Sequence, residues 1–170
     1  EGKAAADNTL RRASGTRDAL SGQKGLERLK GEGGWTEIDG CPVFTNDDGP
    51  AGVQAMQDML TANPKLDAFV IEGGWPLFGA PQPYRQLTDQ YKDRIASKDL
   101  VIVAADTIGE EVALAKEGRV EALVGQRPFE MGYKAPSVMI DLIKGNKVDD
   151  PVFTGLDECT KDTADTCIQK

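Results

Sequence analysis

LVIVAADTIGEEVALAKEGRVEALVGQR, residues 100–127, decides the fold. It begins with an apolar run of strand length, LVIVAA at 100–105, and closes on another, VEALVG at 120–125. Between the two, residues 108–117 have a helical pattern, announced by Thr107 and Glu110 as a capping box and closed by Gly118. Strand, helix and strand in this order make a βαβ unit. Strands this apolar are expected at the centre of a parallel sheet, covered on both faces.

The same alternation extends outward in both directions. A further strand is expected at DAFVIE, 67–72, and another at 35–38 continuing into 43–45. The clearest helix covers 50–62, where Val53, Met56, Met59 and Leu60 share a face and Asn63-Pro64 ends it. Others are expected at 9–20 and at 83–96, the latter with an irregular start caused by Pro76, Pro81 and Pro83. A long helix at 129–144 has the apolar stripe Met131, Ala135, Val138, Met139 and Leu142, and Gly145 stops it. The fold class is therefore α/β, a parallel β-sheet flanked by helices on both faces in a flavodoxin-like three-layer sandwich.

Composition narrows the function. With 170 residues the chain suits one compact unit with a real core. Its 39% hydrophobic and 28% charged residues lie within the globular range. A net charge of −8 has the wrong sign for nucleic acid or an anionic membrane surface. No apolar run approaches the ~20 residues that a membrane helix needs. EGKAAADNTL at 1–10 lacks the apolar core of a signal peptide, so for an exported protein mature or trimmed sequence is expected.

Histidine is absent, which removes the commonest general base, the commonest neutral metal ligand and every Ser/His or Cys/His nucleophile. Neither GxGxxG nor GxxxxGK[ST] occurs, so no cofactor or phosphate loop is read. Glu110-Glu111 and Asp149-Asp150 read as solvated charges, and no enzyme activity is expected. Cys159 and Cys167, eight apart, match no zinc pattern; they favour a disulfide and an oxidising compartment. Cys41 is left over, either buried and inert or paired outside the chain.

Ligands of open parallel sheets bind beyond the carboxyl ends of the strands. Those positions hold Asn46, Asp47 and Asp48, then Gly73, Gly74 and Trp75, then Asp106, then Gln126 and Arg127. Carboxylate, amide, guanidinium and indole suit a neutral polyhydroxylated ligand, whose hydroxyls want donors and acceptors and whose C–H faces stack on aromatics. Each residue also has a purely structural reading. Asp106 can belong to a helix start, Asn46 and the aspartates can form a turn with Asp48 as the cap, and Gln126 can be an ordinary loop residue. Trp75 can be core, although Gly73, Gly74 and Pro76 around it suggest an exposed turn.

Three stretches resemble the type I periplasmic binding proteins of the ribose- and galactose-binding kind. AGVQAMQDMLTANPKLDAFVIEGG looks like that family's helix, Asn-Pro turn and strand. LVIVAADT looks like its apolar strand ending in aspartate, and GRVEALVGQRPFEMGYKAPSVMIDLIKGNKV like its strand, glutamine and long helix. DNTLRRASGTRDAL adds a weaker match to the helix that opens the second lobe. The resemblance implies a carboxy-terminal lobe whose Asp106 binds ligand hydroxyls, with Gln126 at the lobe crossover, Arg12 on sugar oxygens and Asp47 near a further contact. Where the family commonly has Asn-Asp this chain has Gly73-Gly74, so Trp75 is expected to replace an amide by stacking. The ligand is then not ribose itself, and a related sugar, a polyol or a furanose-like autoinducer is open.

The resemblance further divides the chain into a lobe at 1–127, a long helical arm at 128–150 and a return strand with a disulfide-bearing tail at 151–170. It implies that most of the first lobe is absent, and that the arm's apolar stripe is exposed unless that lobe or a second copy covers it. The implied partners are a small sugar or polyol and an ABC permease of the inner membrane; the implied location is the bacterial periplasm. Three other classes compete. An effector domain of a lactose-repressor type regulator shares the fold but would need a helix-turn-helix and a basic patch. An enzyme on a flavodoxin-like sheet would need a base and a cofactor loop. A chemosensory receptor role shares every residue of the site.

Overall fold

The computed structural model describes residues 1–168. β1 (Ala68–Ile71), β2 (Val101–Ala105), β3 (Ala122–Gln126) and β4 (Leu156–Thr160) form one sheet in that spatial order. The first three strands are parallel, and β4 returns antiparallel along β3. Before β1 come α1 (Asp7–Ser21) and α2 (Gly49–Ala62). β1 leads to β2 through α3 (Trp75–Phe78), α4 (Pro81–Gln90) and α5 (Lys92–Ala96), and β2 leads to β3 through α6 (Gly109–Lys116). α7 (Pro128–Ile143) separates β3 from β4. The α/β class and the three apolar strands are as the sequence predicts. The last two residues of the 151–170 tail lie outside the described residues.

Both crossovers run in one direction across the sheet, which places their helices on one face. That face carries the core. Ile71, Ile102, Ala104, Leu123 and Cys159 point into it and meet Met56, Leu60, Leu77, Tyr84, Leu87, Leu114 and Ala115. On the opposite face α1 lies against the β1 end, where its Thr16 hydroxyl donates to the Glu72 carboxylate at 3.0 Å. Helices thus flank both faces, but cover on the second is incomplete. Val103 is half-buried, and Val124 and Leu156 are exposed at the far end. The continuous apolar run of β2 therefore overstates its burial, because apolar residues with no helix above them keep the same composition.

The strand expected at 35–38 and 43–45 does not join the sheet. In its place Lys30 and Thr36 form an isolated bridge. Gly40 adopts a φ of 85° and Pro42 has no N–H to donate, so IDGCP breaks the extended run. Helix ends follow their chemistry more closely. Asp48 caps α2 by accepting from the Ala51 N–H at 2.7 Å, its structural reading. The helix expected at 83–96 is two, parted at Tyr91. α6 starts at Gly109, and the carboxylate that reaches back to its cap is Glu111, not Glu110, with the Ile108 N–H donating to Glu111 Oε2 at 2.7 Å.

Cys159 and Cys167 are bonded, with Cα atoms 5.2 Å apart. Cys159 is fully buried in β4, so the bridge ties the tail to the core. Closing so short a loop is worth about 2.5 kcal/mol by loss of unfolded-state entropy. Reduction, or Cys167→Ser, should lower the melting temperature by roughly 5–10 °C in thermal denaturation; an unchanged melting temperature would mean that the bridge carries no stability. Cys41 is free and half-buried, and burial first, then the Glu37 charge, pushes its thiol up.

No side chain of α7 is buried: in the expected apolar stripe Met131, Met139 and Leu142 are 42%, 55% and 58% exposed, so that stripe is open. Its root is fixed by Arg127, which donates to Asp157 at 2.8 Å and to the Leu156 carbonyl at 3.1 Å. Arg127 thus turns away from the polar set at the sheet edge. No helix among the described residues is long and apolar enough to cross a membrane.

Candidate functional site

The carboxyl ends of β1, β2 and β3 meet around one carboxylate. Directly after β2, Asp106 adopts a φ of 77°, a left-handed conformation that aspartate tolerates better than most residues. Its own N–H donates to the Val124 carbonyl at 2.8 Å, so pairing with the neighbouring strand maintains the turn. The side chain then receives three donors. Arg12 Nη2 from α1 lies 3.1 Å from Oδ1, Gln126 Nε2 from β3 lies 3.3 Å from the same oxygen, and the Gly74 N–H lies 3.3 Å from Oδ2.

Arg12 also donates through Nη1 to the Glu72 carbonyl at 2.8 Å, which clamps α1 across the ends of two strands. Arg12 and Asp106 side chains remain 22% and 23% exposed, so this braced group still faces solvent. Arg12, Asp106 and Gln126 are therefore joined as one hydrogen-bonded unit.

Two glycines shape the floor. A Cβ at Gly73 would overlap the ring of Trp75, and one at Gly74 would overlap the Glu111 carboxylate. Trp75 and Glu111 thus explain why this pair holds no side chains. Trp75 is not in an exposed turn; it opens α3, followed by Pro76, and is half-buried with its indole over Gly73 and Gly2. Helix formation by Trp75–Phe78 draws the ring back onto the strand end.

Asp47 lies beside Gly2 as well and pairs with Lys3 at 3.4 Å. Asn46 and Asp47 have φ values of 54° and 64°, turning the chain toward α2. Asn46 is exposed, and its N–H donates to the Gly2 carbonyl at 2.9 Å. Among the described residues neither Asn46 nor Asp47 bonds to Asp106; they form the rim on the Trp75 side.

Glu111 corrects the reading of Glu110-Glu111 as solvated charges, for it is fully buried beneath the site. Its Oε1 has no hydrogen-bond partner. Burial raises its pKa to about 7 and the nearby Asp106 charge adds to this, while the bond from Ile108 and the charge of Arg12 oppose it. A signal existed in the sequence, since Glu111, Leu114 and Ala115 fall on one helical face and the latter two are core. Glu72, 8% exposed, is a second acid in this layer; burial raises its pKa, and the Thr16 hydroxyl opposes this. Neither Thr16 nor Glu72 stands out in sequence.

Chemically, the edge offers one oriented carboxylate, one guanidinium, one amide and the half-exposed edge of an indole. Such a set can accept from and donate to hydroxyl pairs. No group of three or more metal-ligating side chains occurs among the described residues.

A sequence model of the family described as periplasmic binding protein domain matches residues 1–147. No curated protein matches the chain. Among solved structures, the chain is similar to an ABC transporter solute-binding protein from Burkholderia graminis C4D1M in complex with D-arabinose. The TM-score there is 0.71 at 24% identity, over 99% of this chain and 53% of that one. Another, from Agrobacterium vitis and bound with alpha-D-tagatopyranose, has a TM-score of 0.70 at 19% identity, over 97% and 49%. A third, from Actinobacillus succinogenes 130z with bound D-allose, has a TM-score of 0.68 at 14% identity, over 97% and 52%. The chain spans about half the length of each of these three structures.

Proposed function

Because this chain belongs to the family of periplasmic binding protein domains, we propose that it is the ligand-binding lobe of a solute-binding protein that captures a sugar or sugar alcohol. The observation that carries the reading is the Asp106 carboxylate, braced by Arg12, Gln126 and the Gly74 N–H at the carboxyl edge of the sheet. Asp106 accepts from ligand hydroxyls, Arg12 and Gln126 donate to ring or hydroxyl oxygens, and Trp75 presents the apolar surface on which C–H groups stack. Asn46 and Asp47 complete the rim. The role is binding rather than catalysis, since every group of the set is suited to holding hydroxyls.

Residues 1–127 are the lobe itself. The arm at 128–150 carries the exposed face of α7 toward a partner lobe or a second copy of the chain, while 151–170 ties the return strand to the core. The destination of the ligand is an ABC permease of the inner membrane, and the site of capture is the periplasm; the disulfide agrees with an oxidising compartment. The solved relatives named above are solute-binding proteins with D-arabinose, tagatopyranose and D-allose, which supports a monosaccharide-sized ligand.

A thermal-shift panel of pentoses, hexoses, tetritols and pentitols tests the reading. At 100 times its dissociation constant a ligand adds about 2.7 kcal/mol, which raises the melting temperature by roughly 5–10 °C for a domain of this size. At least one member of the panel should do so. A flat panel would contradict the reading.

A further inference from the structure

Beneath Asp106 lies a second acid that the binding role above does not use. Glu111 is fully buried, and a Cβ on Gly74 would overlap its Oε1, so this oxygen touches the residue whose N–H donates to Asp106 Oδ2. The Ala105 carbonyl oxygen lies 3.2 Å from the same point. Oε2 accepts from the Ile108 N–H, but Oε1 has no hydrogen-bond partner. An ionised carboxylate in this place lacks a donor for one of its two oxygens, which is costly in a buried position. A carboxylic acid avoids that cost, since its proton can sit on the oxygen that borders the Ala105 carbonyl.

Two charges act on Glu111 besides its burial. Burial raises its pKa most, to about 7 overall; the Asp106 charge at the end of β2 adds to this, and Arg12 of α1 opposes it. Of the elements packed against α6, α3 and β3 carry no ionisable side chain. In β4 Asp157 accepts from Arg127 and Glu158 is exposed, and the neighbouring Glu110 pairs with Arg85 of α4 at 2.8 Å. A sugar or polyol seated on Asp106 moves every one of these influences the same way. It displaces water from a carboxylate that is now partly open, which deepens the burial and weakens the screening of the Asp106 charge. It also draws the Arg12 guanidinium toward its own oxygens. Each change favours a proton on Glu111.

We propose that capture at this site is proton-linked, with Glu111 as the positioning residue that holds a proton from solvent whenever Asp106 is occupied. The proposal rests on the reading of Asp106 as the carboxylate that accepts from ligand hydroxyls. Its sign follows from linkage. Below pH 7 Glu111 is protonated in the empty and the filled site alike, so affinity is constant. As the pH rises through 7 the empty site gives up a proton that the filled site keeps, and affinity falls. By reciprocity, binding in that range takes up a proton. Capture is thus strongest in neutral to mildly acidic surroundings.

The probe is the member of the pentose, hexose, tetritol and pentitol panel that raises the melting temperature most, titrated into the intact chain at pH 6 and pH 8.5. Its dissociation constant should rise about 5- to 10-fold between the two, and in Glu111→Gln it should be the same at both. Glu72→Gln, which removes the other raised acid of this layer, should keep the pH dependence of the parent. In the carbon-13-labelled parent the Glu111 carboxyl signal should titrate near pH 7, and saturation with the probe should move that midpoint up by about 1 pH unit. A Glu111 with a structural role alone would titrate at one pH with and without the probe. Equal affinity at pH 6 and pH 8.5, a dependence that survives Glu111→Gln, or one that disappears in Glu72→Gln would overturn the proposal and leave the sugar site standing. A panel without a binder would overturn the binding reading, and the proposal with it.

Discussion

Asp106→Gly should reduce binding of the cognate sugar or polyol at least about 10-fold while leaving folding stability within about 1 kcal/mol of the parent. The two effects separate because the residue has two roles. As a carboxylate it collects Arg12, Gln126 and the Gly74 N–H, and its side chain stays partly open to solvent. Without it, Arg12 retains its bond to the Glu72 carbonyl but loses its counter-charge, and Gln126 loses its orientation. As a backbone position it is left-handed at φ 77°, which costs a non-glycine residue about 1 kcal/mol or more. Glycine relieves that cost and offsets the loss of a partly exposed ion pair. Asp106→Ala should be less stable than Asp106→Gly, because it removes the carboxylate and keeps the strained φ. Urea denaturation and ligand titration of the two variants check the pair of effects; equal binding by parent and Asp106→Gly would remove the carboxylate from the site.

Glu111→Gln should stabilise the fold by about 2 to 3 kcal/mol at pH 8 and by almost nothing at pH 4.5. Glu111 is fully buried, with one oxygen unpartnered and a folded-state pKa raised to about 7 from an ordinary value of 4.5. Below pH 4.5 both folded and unfolded chains hold the proton, and the group contributes no pH dependence. From there to pH 7 the unfolded chain has lost a proton that the folded one retains, so stability falls as the pH rises. Above pH 7 the folded chain carries a buried carboxylate behind Asp106, and the full penalty applies. Glutamine cannot ionise and keeps an acceptor for the Ile108 N–H, so the slope between pH 4.5 and 7 should flatten. Denaturation curves across that range check it, and a slope that survives the substitution would assign the pH dependence to another group, Glu72 first among them.

Residues that declare themselves through neighbours in the chain are legible in sequence; residues that depend on distant partners are not. β2, α6 and β3 follow from two apolar runs and one helical period, all within 100–127. Asp106 and Gln126 follow from them, since a strand end is a local feature and the carboxyl edge a general rule. The 35–45 segment misleads because being extended is local, whereas joining a sheet needs a partner strand, and its pairing is with Glu1 and Gly2. Glu111 misleads because two adjacent glutamates on a helix are usually solvated; only the fold turns one of them under Gly74. Trp75 stands at the expected edge, but its half-burial depends on α3 folding the ring back over Gly73.

The account rests on Asp106 as the centre of a sugar- or polyol-binding edge, and amide chemical shifts during titration of the isotope-labelled chain test that most directly. For at least one pentose, hexose, tetritol or pentitol, the Gly74, Asp106 and Gln126 amides should move together and saturate. The dissociation constant should be in the millimolar range, about −4 kcal/mol, because Arg12 and Asp106 stay partly open to solvent. The same ligand should leave those amides still in Asp106→Gly. Amides that stay fixed for every sugar and polyol, or that move equally in the parent and in Asp106→Gly, would contradict the account.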